Sequence, residues 1–125
     1  MRRLLCSIFT LPLVACQSSP SGGITHVVLA SLEDPSEVPA LLEDCEAMLS
    51  GIDVVHGFAC GAPIDVGRGD RVVKDYDVGL HMVFETAEDY EAYVVHPRHV
   101  EILERWGPKF TALRIYDFGA EASDR

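Results

Sequence analysis

From residue 24 the chain alternates with a period of two: Ile24, His26, Val28 and Ala30 fall on one face of a strand, and Thr25, Val27 and Leu29 on the other. Both faces are largely apolar, so a strand over residues 24–31 has to be covered on both sides. The period then lengthens. Val38, Leu41, Leu42, Cys45, Met48 and Leu49 make a helical stripe, entered at a Ser36 cap, tolerant of Pro39 in its first turn and ended at Gly51. Alternation returns over 54–61 and 76–84, separated by a Gly- and charge-rich connection at 62–74, and again over 113–118. The order is βαββαβ. It predicts an α+β, ferredoxin-like domain over residues 24–119, with a four-stranded antiparallel sheet and its helices on one face.

One face of that sheet would then carry Val27, Leu29, Val83, Tyr116 and Phe118 without a helix to cover them. An apolar patch of this kind marks an interface. A second copy packed face to face gives a homodimer that closes an eight-stranded α/β barrel across a two-fold axis.

Residues 84–99, FETAEDYEAYVVHPRH, hold the candidate chemistry. Thr86 caps a helix from Ala87, with Asp89 three residues on in a capping-box-like pair. Tyr90, Tyr93 and Val94 form its inward stripe, while Glu88, Asp89 and Glu91 stay wet. Pro97 disfavours helical geometry at His96, so the helix stops near Val95 and a second one restarts over 98–106. That break can aim His99 back at Tyr93, and His96 reads as a capping or solvent residue.

These residues resemble the Phe-x-Ser/Thr…Tyr…His-Pro-x-His signature of the stress-responsive A/B barrel family, the dimeric α+β barrel proteins called Dabb, and ITHVVLASL resembles that family's first strand with its histidine. The resemblance runs from about Ile24 to Phe118 and implies the same dimer. It also implies a cavity inside each subunit, between sheet and helices. By distant similarity to the family's olivetolic acid cyclase, His26, Tyr93 and His99 become candidate catalytic residues. His99 would be the general base, Tyr93 the oxyanion partner and His26 the group that orients His99 or substrate. The cyclase's helix-one tyrosine, strand-three histidine and pocket tryptophan fall here on Cys45, Val78 and Phe110. The expected ligand-binding wall is apolar: Val28, Ala30, Leu42, Cys45, Leu80, Met82, Phe110, Leu113 and Ile115.

Upstream, Arg2 and Arg3 precede an apolar run over 4–15 that is too short to span a bilayer and reads as the core of a signal peptide, residues 1–15. Leu13-Val14-Ala15-Cys16 resembles the lipobox of bacterial lipoprotein precursors, which makes Cys16 the lipidation site and residues 16–23 a flexible tether. The expected location is the bacterial cell envelope. Gln17 is not the aspartate that holds many such proteins at the inner membrane, so the outer membrane or cell surface is favoured.

The chain carries 10 basic and 20 acidic residues; removing 1–15 takes Arg2 and Arg3 and no acid, leaving 8 against 20 and a net charge of −12. Residues 120–125 form an acidic tail. This charge repels phosphates and argues against nucleic acid as a partner. Cys45 and Cys60 sit in apolar patterns as buried thiols, although an exported compartment would also permit a disulfide between them. His96 and His99 lack a third ligand at a convincing spacing, so no metal or other cofactor is expected. Three functions fit: a binder of a small apolar or aromatic molecule, a lyase, cyclase or isomerase, and a non-catalytic structural stress protein.

Overall fold

The computed structural model describes residues 23–119. The expected signal peptide over 1–15, the expected lipidation site at Cys16, the expected tether up to residue 22 and residues 120–125 lie outside the described residues. Strand β1 (Ile24–Leu32) leads to helix α1 (Val38–Leu49), strands β2 (Gly57–Gly61) and β3 (Val78–Phe84), helices α2 (Ala87–Val94) and α3 (Pro97–Trp106), and strand β4 (Phe110–Gly119). The sheet order is β2-β3-β1-β4, with every neighbouring pair antiparallel. This is the ferredoxin-like arrangement that the alternation of periods predicts.

Register decides which residues meet the helices. Ile24, His26, Val28 and Ala30 on β1 lie beside Phe84, Met82, Leu80 and Val78 on β3. Phe58 and Cys60 extend the same face onto β2, and Ile115 and Leu113 extend it onto β4. Leu41, Cys45 and Leu49 from α1 and Ile102 and Trp106 from α3 close over it, giving one core. Burying a side chain such as Leu41 contributes about 1.5–3 kcal/mol. Trp106 Nε1 and Arg105 both donate to the Asp44 carboxylate, at 2.8 and 3.0 Å, and so tie α3 to α1.

Several boundaries differ from the sequence reading. Asp34, not Ser36, is the cap. Its carboxylate accepts from the Ser36 backbone N–H at 2.9 Å and starts a 3-10 turn, Pro35–Glu37, that feeds into α1. Gly51 does not end α1 in a left-handed conformation; the helix stops at Leu49, and the Ile52 N–H closes a further turn onto the Leu49 carbonyl. Strand β2 begins at Gly57 because residues 52–55 form turns instead, and β3 begins at Val78. Strand β4 starts three residues early, at Phe110, because a register shift between Ser31 and Leu32 lets Phe110 pair with Leu32.

Among the described residues, no helix covers the opposite face of the sheet. Val27 and Tyr116 pair across β1 and β4, and Thr25 pairs with Phe118. Tyr116 is 52% exposed and Phe118 57%. Val27, Leu29 and Val83 are only half-buried.

Candidate functional site

The break between α2 and α3 aims the chemistry. Thr86 Oγ1 accepts from the Asp89 N–H at 3.1 Å and fixes the start of α2. Eight residues later the helix ends, since Pro97 imposes extended backbone on His96 (φ −64°, ψ 136°). His96 Nδ1 then accepts from the Arg98 N–H at 3.2 Å and caps α3. The turn folds His99 back under α2, where its Nδ1 donates to the Val94 carbonyl at 2.9 Å. A carbonyl can only accept, so Nδ1 carries the ring proton of neutral His99 and Nε2 is its bare nitrogen. The His99 ring lies 4.3 Å from that of Tyr93, centroid to centroid.

His26 approaches Tyr93 from the sheet side, with ring centroids 6.0 Å apart. It is 5% exposed, and its Nδ1 lies 2.5 Å from Asp117 Oδ1, across the β1–β4 ladder. The Tyr90 hydroxyl donates to the other Asp117 oxygen at 2.9 Å. One carboxylate thus holds both rings, and Asp117 fixes Nδ1 as the protonated nitrogen of His26. Among the described residues, neither the Tyr93 hydroxyl nor Nε2 of His26 or His99 has a hydrogen-bond partner, and all three rings line one cavity.

That cavity has a volume of about 290 Å³ and is overwhelmingly apolar. Val28, Ala30, Leu80 and Met82 form its floor, Cys45 and Phe110 its inner wall, and Leu113 and Ile115 on β4 its half-exposed rim. Leu42 is not in the wall. The inward line of α1 is Leu41, Cys45 and Leu49, while the Leu42 carbonyl faces Cys60, 3.9 Å from its Sγ. Val94 and Leu103 complete the rim on the helix side.

Burial sets the protonation states. It pushes the Tyr93 phenol well above its ordinary range, with the Cys45 and Tyr90 side chains adding to the effect. Tyr90 is pushed up to about 12 by burial and by donating to Asp117. The Cys45 thiol is also pushed up to about 12, by burial first and then by Cys60 and Asp44, so it lines the cavity as an apolar group. Cys45 and Cys60 are both free. Partial burial lowers the pKa of His99, against the Val94 carbonyl, with His26 and His96 assisting. At neutral pH the site therefore offers a bare imidazole nitrogen beside a phenol that keeps its proton.

Sequence reasoning missed Asp117 and the Tyr90 hydroxyl that share His26. A signal existed: Asp117 follows Leu113 and Ile115 at a period of two, an acid in line with the cavity wall. His56 lies on the surface between Glu85 at 3.5 Å and Asp89 at 3.9 Å. The ligand atoms of these three side chains lie within 4.8 Å of one another. Two of them are carboxylates flanking the start of α2, where the helix dipole favours negative charge. His81 is exposed on the helix-free face of the sheet.

Comparison with known proteins places this architecture. A stress-response A/B barrel domain-containing protein of Arabidopsis thaliana is 26% identical over 102 residues, covering 82% of this chain and 90% of that protein. A solved Dabb family protein with a ferredoxin-like fold from Mesorhizobium loti is 30% identical, with a TM-score of 0.65 over 78% of this chain and 95% of its own. A dimeric ferredoxin-like protein of unknown function from Thermobifida fusca has a TM-score of 0.67 at 21% identity, over 80% and 92% of the two chains. Residues 24–120 match the family described as Stress responsive A/B Barrel Domain. With that match spanning nearly the whole described region, the chain belongs to the stress-responsive A/B barrel (Dabb) family.

Proposed function

We propose that this protein is a lipid-anchored envelope protein whose A/B barrel domain forms a homodimer and binds a small apolar or aromatic molecule in the cleft lined by His26, Tyr93 and His99. The observation that carries the binding reading is the convergence of His26, Tyr93 and His99 on one apolar cavity. Among the described residues no protein group bonds the Tyr93 hydroxyl, and no fully buried side-chain nitrogen or oxygen lacks a partner, so this hydroxyl is not sealed in the core and can bond a small molecule in the cavity.

The dimer rests on the helix-free sheet face. Tyr116 and Phe118 stand exposed beside Val27 and Thr25, a patch that a second sheet would bury. The dimeric Thermobifida fusca protein shares the fold and supports the same assembly. The anchor rests on the Leu13–Cys16 sequence alone, and the outer membrane or cell surface on Gln17.

A second reading is favoured by one feature, the bare Nε2 of His99 beside a protonated phenol. A neutral imidazole can take a proton from an acidic C–H while Tyr93 hydrogen-bonds the enolate oxygen that develops, the inventory of a lyase, cyclase or isomerase. Ligand-observed NMR on the wild-type chain and on His26→Ala, Tyr93→Phe and His99→Ala tests both readings. Each substitution should weaken the same bound molecule while dimerisation survives. If the protein turns its ligand over, loss of the base should instead lower the rate, by on the order of 10²–10⁴-fold. A ligand indifferent to all three substitutions would remove the cleft from the account.

A further inference from the structure

We propose that the cleft selects neutral molecules bearing a weakly acidic O–H on a compact apolar frame, phenols and enols, over carboxylates and over aprotic molecules of the same shape. This selectivity rests on the reading of the cleft as a binding site and adds the chemical class of its occupant. It follows from which lone pairs and protons the wall presents. His99 spends its Nδ1–H on the Val94 carbonyl at 2.9 Å, which leaves Nε2 as an acceptor in search of a donor. Tyr93, in ring contact with His99 at 4.3 Å, offers a hydroxyl with no protein partner. A ligand O–H answers both. Its proton goes to Nε2 and its oxygen accepts from Tyr93. An ether of equal size can accept but not donate, and would leave Nε2 desolvated and unpaired.

Charge excludes the anion. Among the described residues, no Lys or Arg lines the cavity. Of the two imidazoles in the wall, His26 is already held by the Asp117 carboxylate, so that pair brings no net positive charge to the site, and His99 spends its Nδ1–H on the Val94 carbonyl. The Asp117 carboxylate bonds a ring of the cavity wall and would repel a second carboxylate. A carboxylate entering this apolar space would lose its hydration and gain no ion pair. The lowered pKa of His99 keeps its ring neutral at pH 7 and agrees with this arrangement. The volume, about 290 Å³, equals roughly ten water molecules at ~30 Å³ each and suits a single substituted ring.

The test is an isosteric series at pH 7 on the purified full chain: p-cresol, 4-methylanisole and 4-methylbenzoate, with dissociation constants from saturation-transfer NMR. The expected order is p-cresol tighter than either analogue by on the order of tenfold or more. His99→Phe, which removes the Nε2 acceptor, should shrink that preference to within about threefold, while Tyr93→Phe, which removes the donor to the ligand oxygen, should weaken p-cresol and 4-methylanisole alike. Binding of 4-methylanisole or 4-methylbenzoate as tight as that of p-cresol would overturn the selectivity and leave the cleft as a binding site. Binding of none of the three, with the wild-type chain folded by circular dichroism, would overturn the cleft itself and this inference with it.

Discussion

Asp117 Oδ1 lies 2.5 Å from Nδ1 of His26, between residues that face each other directly across β1 and β4. The contact joins a buried ring on a central strand to an exposed carboxylate on an edge strand. Its second oxygen bonds the Tyr90 hydroxyl, so sheet and α2 are latched through one side chain.

Replacing Asp117 by Ala should therefore act twice. It leaves the buried Nδ1–H of His26 without an acceptor, a cost of about 1–3 kcal/mol in stability. It also frees the ring to exchange tautomers. Imidazole nitrogen shifts should report a single protonated Nδ1 in the wild-type chain and a mixture in the variant. A variant with unchanged melting and unchanged shifts would show that the latch does not order His26.

His99 gives a pH dependence of known sign. Its folded pKa lies below the ordinary 6.5, so on acidification the unfolded chain takes up the proton first. The stability it contributes is present above about 6.5 and is lost as pH falls through that value towards the folded pKa. The slope for one such group is at most about 1.4 kcal/mol per pH unit. Denaturant melts between pH 7.5 and 5 should show stability falling with pH, and His99→Ala should flatten the curve. Equal slopes for both proteins would contradict the proton's placement.

A charge on the helix-free face should break the dimer. Val27→Asp puts an unpaired carboxylate opposite Tyr116, where burial in an interface costs several kcal/mol. Light scattering should give twice the subunit mass for the wild-type chain and one subunit mass, or precipitate, for the variant. A wild-type monomer at micromolar concentration would sink the barrel.

The anchor is the simplest to check. If Cys16 carries the proposed lipid, Cys16→Ser removes its point of attachment, and fractionation should move the protein out of the membrane pellet. Retention in the pellet would mean that something other than lipid holds it there.

The elements were legible because period carries them. Val38, Leu41, Cys45 and Leu49 cannot share a face in anything but a helix, and the alternation from Val78 to Phe84 is a strand buried on one side. Pro97 made the helix break readable, and with it the meeting of Tyr93 and His99. Caps and strand ends were harder. Asp34 and Ser36 are both good caps two residues apart, and only the backbone chooses between them. The phase of α1 was read about one position wide, which put Leu42 in the cavity in place of Leu41; a stripe of apolar residues gives a face, and packing gives its centre. Asp117 was missed because its role depends on pairing between strands at opposite ends of the domain.

The strand order leaves β2 and β4 as the two edges of the sheet. Strand β4 is the longer, ten residues from Phe110 to Gly119, and the backbone groups on its outer side pair with no other described strand. An unassembled copy can thus cover itself in two ways. Packing face to face is self-limiting, since two copies complete it about a two-fold axis. Adding strand to strand along β4 has no such end, because each new copy presents a fresh edge. The charges of Arg114 and Asp117, one on each face of β4, weaken the second route without closing it. A copy without a partner on its helix-free face would therefore be open to strand addition, which the net negative charge of the chain opposes.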